Sequence, residues 1–182
     1  MAIAGLAAVL ALSLTPAAAD VSDTLRNHIR AYVLSLQAPD FITYTHPVYG
    51  FSFDIPTDFL VTASADENGS YVNAAHHQLQ MGFEIAIQPW WEDEAAALSP
   101  TLIQEEHPEL VMEDTIPTYL GDSTPALRFS SRDSLVGETR ELWFVRDGYL
   151  YQVTMYAPHQ EWLDAWIRWL AQTIRWAYFG ET

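Results

Sequence analysis

Leu142-Trp143-Phe144-Val145-Arg146-Asp147-Gly148-Tyr149-Leu150-Tyr151-Gln152-Val153 sets two apolar runs on either side of Asp147-Gly148. Asp-Gly accepts positive φ at both central positions of a type I′ turn, whose twist matches that of two paired strands. Glu138 to Tyr156 therefore reads as a tight antiparallel hairpin, stopped by Pro158. Upstream, Phe83, Ile85 and Ile87 alternate with Glu84, Ala86 and Gln88, and Phe51, Phe53 and Ile55 share one face of another strand ended by Pro56. Alternation of this kind marks half-buried strands. Ile42–His46, Leu60–Ala63 and Ala126–Ser131 read as further strands, the last with Leu127 and Phe129 inward. Pro47–Gly50, Asp66–Ser70 and Leu120–Asp122 read as the turns and loop between them.

Helical spacing appears in three places. Gln160 to Gln172 gathers Trp162, Leu163, Trp166, Ile167, Trp169 and Leu170 opposite Glu161, Asp164, Arg168 and Gln172, an amphipathic helix with its aromatic stripe toward a core. Trp91 to Met112, rich in Ala, Leu and Glu and broken by Pro100 and Pro108, reads as one or two helical segments lying on the sheet. Val21 to Gln37 repeats apolar residues at helical intervals and ends before Pro39. A final strand is expected from Thr173 to Phe179, with Ile174, Trp176 and Tyr178 on one face. Strands outnumber helices and hairpins outnumber crossovers. The expected class is α+β, an antiparallel β-sheet covered by helices.

The first residues carry a different signal. Ala2 to Leu14 is almost wholly apolar, and Thr15-Pro16 and the small run Ala17-Ala18-Ala19 follow it. That order is an apolar core and an Ala-x-Ala cleavage site, so residues 1–19 are expected to be a signal peptide cleaved after Ala19. The run is shorter than the roughly 20 residues a spanning helix needs, which sets aside an N-terminal membrane anchor. No Lys or Arg precedes it, so the expected true start lies upstream and supplies a basic leader. Residues 20–40 then form a helix or spacer and residues 41–182 a single domain. The expected location is periplasmic or secreted.

Composition limits the partners. Twenty-four Asp and Glu against eight Arg and no Lys leave a formal charge of −16 over 182 residues. Nucleic acid is excluded, since its affinity rests on cations that neutralise phosphates. An anionic membrane surface repels the chain for the same reason, and no stable membrane insertion is expected after cleavage. Without cysteine there is no disulfide, thiolate metal site or lipidated thiol. Apolar residues at 49% and aromatics at 13% are ample for a packed core.

Thr43-Tyr44-Thr45-His46-Pro47-Val48-Tyr49-Gly50-Phe51-Ser52-Phe53-Asp54-Ile55-Pro56 resembles the opening of the PsbP-like superfamily, in which a strand, a Tyr-Gly-Phe turn, a second strand and a Pro follow one another. That superfamily includes the photosystem II oxygen-evolving accessory protein, the Ran-binding Mog proteins and many exported bacterial proteins. Gly121 to Phe129 is similar to its glycine-to-alanine lead into a strand. The Asp147-Gly148 hairpin before an aromatic strand and the last helix running into Ile174-Arg175-Trp176 also agree. The resemblance covers Ile42 to Phe179 and implies a PsbP/Mog-like α+β domain in an exported bacterial member. It implies an accessory, assembly or partner-binding role rather than one chemistry. The chain departs from lipoprotein members in lacking a lipid-bearing Cys, and from photosynthetic members in being strongly acidic and Lys-free.

Chemistry-bearing motifs are sparse. His76-His77 are neighbours, and on a strand neighbours face opposite ways; an exposed loop pair is expected. Neither His-x-x-x-His nor His-Glu-x-x-His occurs. Asp66, Glu67 and Asn68 miss the calcium-loop spacing, and no Gly-x-Ser-x-Gly elbow is present. No metal, cofactor or catalytic residue is therefore assigned. The expected binding patch is Trp90 and Trp91, rimmed by Glu92, Asp93 and Glu94, because an aromatic centre within a polar rim suits an interface anchor. The expected partner is another envelope protein of basic or neutral surface. Two alternatives stand beside this: an envelope hydrolase in which His76, His77 or His159 meets a carboxylate in a cleft, and a secretion-linked immunity or chaperone protein.

Overall fold

The computed structural model describes residues 40–67, 69–90, 98–133 and 137–176. The expected signal peptide 1–19, its cleavage site and the helix expected from Val21 to Gln37 lie outside the described residues. So do Trp91, Glu92, Asp93, Glu94 and Tyr178.

The Asp147-Gly148 turn forms as the sequence demands, with φ of 51° and 77° at its two central residues. It joins β8 (Gly137–Arg146) to β9 (Tyr149–Tyr156) in register from Arg146↔Tyr149 to Thr139↔Tyr156. Around that hairpin the strands β3 (Leu60–Ala65), β4 (Ser70–His76), β5 (Met81–Pro89), β6 (Glu113–Tyr119) and β7 (Pro125–Asp133) complete an antiparallel seven-stranded sheet in the order β3-β4-β5-β9-β8-β7-β6. A second sheet of three strands, β1-β2-β10, is built from β1 (Phe41–Thr45), β2 (Phe51–Pro56) and β10 (Arg175–Trp176). The expected α+β class holds, with the antiparallel strands divided between two sheets. The Tyr49-Gly50 turn, with Gly50 at φ 68°, folds β2 back on β1, and β10 from the far end of the chain closes the other side of β2.

The first face of the large sheet lies under α2 (Gln160–Thr173) and the small sheet together. Phe53 meets Phe83 at 5.2 Å, Phe51 meets Tyr151 at 5.7 Å, and Phe144 stacks on Tyr151 at 4.9 Å. From α2, Trp162, Leu163, Trp166, Ile167 and Leu170 are buried, as their spacing requires, while Trp169 is half-buried against Phe41. Each fully buried large apolar side chain contributes about 1.5–3 kcal/mol, which makes this the main core.

The second face is covered over part of its area by α1 (Pro100–Glu106), whose Ile103 packs with Leu127, Phe129, Trp143 and Leu150. Ser99 caps α1 by accepting from the Leu102 N–H, and Pro100 starts it where no donor is needed. The helical stretch expected from Trp91 to Met112 is corrected to this short helix among the described residues. Pro108 ends any continuation, and the chain to Met112 crosses the sheet without regular structure.

Two strands were not expected from the sequence. β4 consists largely of Ala, Asn and Ser, weak strand formers, yet it pairs along both edges, with β3 and β5. His76 is its last residue rather than half of a loop pair, and its Nε2 lies 3.2 Å from an Asp58 carboxylate oxygen. β6 contains Pro117, tolerated because β6 is the sheet edge. An irregular register between Glu113 and Ile116, with Asp114 at φ 50°, twists this edge further.

Candidate functional site

Because side chains alternate along a strand, the second face presents Glu84, Ala86 and Gln88 from β5, Thr139, Glu141 and Trp143 from β8, and Gln152, Thr154 and Tyr156 from β9. Toward the Asp147-Gly148 end α1 and its flanks cover this surface. Toward the other end it opens into a cavity of about 510 Å3, lined by Asn73, Glu84, Glu141, Thr154 and Tyr156 from the sheet, with Leu110, Val111, Trp143 and Arg132 along its walls and Glu109 at its rim.

Glu141 anchors the site and is only 4% exposed. Its Oε1 accepts from Thr139 Oγ1 at 2.7 Å, and its Oε2 accepts from Thr154 Oγ1 at 2.7 Å and Trp143 Nε1 at 3.2 Å. A carboxylate offers acceptors only, and here all three of these neighbours donate. Cross-strand register makes the arrangement possible: Glu141 sits opposite Thr154, which in turn sits opposite Glu84, itself opposite Asn73. Burial raises the phenol pKa of Tyr156, which sits opposite Thr139 in the next row along the strands. Three glutamates and one arginine make the cavity acidic, while Leu110, Val111 and Trp143 give it an apolar wall. Val111 is 56% exposed. Such a cleft suits a cationic head on an apolar stem, as Lys and Arg side chains present.

The expected site residues divide. Trp90 continues the alternation Glu84-Ala86-Gln88 onto this same face, where it is half-buried against the Ile103–Trp143–Leu150 cluster and its backbone N–H donates to Gly148 O at 2.8 Å. The other four of the set lie outside the described residues, as noted. Of the histidines named for a hydrolytic cleft, none lines this cavity. His76 faces Asp58 and Phe59, His77 is exposed, and His159 meets the edge of Trp162 at 5.0 Å. His107 touches two lining residues of the cavity, meeting Trp143 edge-on at 5.2 Å and lying 3.6 Å from a Glu109 carboxylate oxygen. Among the described residues, no three His, Asp or Glu side chains converge as metal ligands do. No described helix is long and apolar enough to cross a membrane.

Sequence reasoning missed Glu141, Thr139 and Thr154. The signal was present in Thr139-Arg140-Glu141-Leu142-Trp143, where a charged residue shares strand parity with a Trp. It was unreadable without knowing that the second face is also covered.

His46, from the family-like opening, is a structural residue. Buried to 3% exposure, its Nδ1 accepts the Val48 and Tyr49 N–H groups at 3.2 Å each, and its ring stacks on Phe51 at 5.2 Å. With Nδ1 accepting, the neutral ring carries its proton on Nε2, 3.4 Å from Ser70 Oγ. Burial lowers its pKa.

No protein-family model matches the chain, and no curated protein matches it in sequence. Among solved structures it is similar to the solution structure of cyanobacterial PsbP (CyanoP) from Synechocystis sp. PCC 6803, with a TM-score of 0.55 at 10% identity over 76% of this chain and 93% of that one. The fold of this chain is PsbP-like.

Proposed function

We propose that this chain is an exported, periplasmic or secreted, non-enzymatic accessory domain that binds a protein of basic surface through the second face of its sheet. The acidic, apolar-walled cavity around Glu141 carries the reading, since its chemistry suits Lys or Arg side chains and the chain around it has a charge of −16. The leader-like residues 1–19 support export. The likeness to cyanobacterial PsbP agrees with an accessory role without specifying one. Trp90 shares the face, so the acid-rimmed patch of Trp90, Trp91, Glu92, Asp93 and Glu94 extends the same proposed surface.

The test is co-purification from envelope extract at low salt, with the mature domain compared against a Glu84→Gln/Glu109→Gln variant. The expected result is one basic partner held by the unmodified domain, released by moderate salt and largely lost from the variant. Equal capture by both proteins contradicts the reading. So does turnover of esters, peptides or glycans that disappears on replacing a single acid or histidine.

A further inference from the structure

On the first face, between α2 and the β6–β7 edge, lies a separate cleft of about 340 Å3, lined by Arg128, Ser130 and Arg140 from the sheet, Asp164 and Arg168 from α2, and Asp114 from the β6 irregularity. Three of the eight arginines in an otherwise acidic chain meet here. Arg140 is occupied, since its Nε donates to Asp164 at 2.8 Å and its Nη1 pairs with Glu138. Among the described residues Arg168 engages its Nε alone, on the Asp164 backbone carbonyl at 2.8 Å. The side chain of Arg128 is half-buried and makes no hydrogen bond or ion pair among the described residues. Ser130, 6% exposed, likewise has no side-chain partner there.

With 24 acids in the sequence, a carboxylate is the expected neighbour of any arginine drawn off the surface. A partly desolvated guanidinium without one is unfavourable unless something else supplies the negative charge. We propose that this cleft binds a small oxyanion, a phosphate monoester or a carboxylate, held by Arg128 and Arg168 with the Ser130 hydroxyl as a third donor. The planar fork of Arg matches both groups. The Arg140–Asp164 pair ties α2 to the sheet at this cleft, and Asp114 in its lining disfavours larger polyanions. The volume lies at the small end of the roughly 300–1,000 Å3 range of ligand sites, which suits a single anionic group rather than an extended chain.

Inorganic phosphate and citrate are titrated separately into the mature domain at constant ionic strength, with the melting temperature and amide NMR shifts as readouts. Saturable binding of one of them at millimolar concentration is expected, with shifts centred on Arg128, Ser130 and Arg168. A preference for phosphate assigns a phosphate monoester, and a preference for citrate assigns a carboxylate. Arg128→Gln and Arg168→Gln each weaken binding about tenfold or more, the loss of a hydrogen bond to a charged group. Arg168 is exposed, so its replacement leaves the fold intact even if Arg128→Gln does not. Arg175→Gln, on the small sheet and paired with Asp54, leaves binding unchanged. Shifts that do not saturate with either anion, or equal affinity in Arg168→Gln and the unmodified domain, overturn the proposal.

Discussion

Among the described contacts Glu141 accepts from three donors, two of them buried on Thr139 and Trp143. Glu141→Ala leaves those donors without their acceptor, at about 1–3 kcal/mol for each that stays dry. Water from the adjoining cavity offsets part of this, so the expected loss is about 2–3 kcal/mol by denaturant titration. Glu141→Gln keeps an acceptor and the shape and loses less. His46 gives a pH test. Its folded pKa lies below the unfolded value near 6.5, so the unfolded chain binds more protons as pH falls. The contribution of the neutral ring is complete above about 6.5 and is lost as pH drops through the folded value. His46→Phe keeps the stacking on Phe51 but loses the Nδ1 acceptor. The stability gap between it and the unmodified domain is expected to be wider at pH 7.5 than at pH 5.5, and a constant gap counts against this role. The opening motif was legible as a turn. That its histidine is the acceptor closing the turn was not, because only tertiary burial turns a polar His inward.

Among the elements, those with strong local chemistry were the legible ones. Asp147-Gly148 fixes a type I′ turn by backbone preference alone, and six apolar positions at helical spacing fix α2. β4 and β6 were illegible for the opposite reason: Asn73, Ala74 and Ala75 have little strand preference, and Pro117 argues against a strand unless the strand is an edge. Both exist because a neighbour supplies the hydrogen bonds. Separate elements are also tied by close approach. The Gly121 N–H donates to Ala171 O at 2.9 Å, and a Cβ on Gly121 falls 2.4 Å from Gln172 O. Gly121→Ala must therefore push the end of α2 outward, an overpacking cost of about 1–3 kcal/mol. A lower melting temperature with an unchanged far-ultraviolet spectrum is the expected outcome. Arg146 makes a second tie, lying over the Trp176 ring at 4.2 Å while pairing with Asp122 and Thr124. One β8 side chain thus links β10 to the turn before β7.

At the scale of the molecule, a charge of −16 makes the folded domain repel itself. Screening shortens from about 30 Å at 0.01 M salt to about 8 Å at 0.15 M. The melting temperature is expected to rise over that interval, and a flat or falling value contradicts the charge argument. Two polar sites lie on opposite faces of one sheet, an acidic cavity at Glu141 and an arginine cleft at Arg128. Composition revealed the overall sign of the charge but not this division, which depends on which strand face each residue takes. The most direct measurement of the central claim titrates the isotope-labelled mature domain with an Arg-rich peptide at low salt, followed by amide and indole NMR shifts. The expected result is saturable shifts concentrated at Glu84, Glu109, Glu141 and the Trp143 indole, abolished in Glu84→Gln/Glu109→Gln. Shifts spread evenly over the acidic surface, or centred away from this cavity, contradict it.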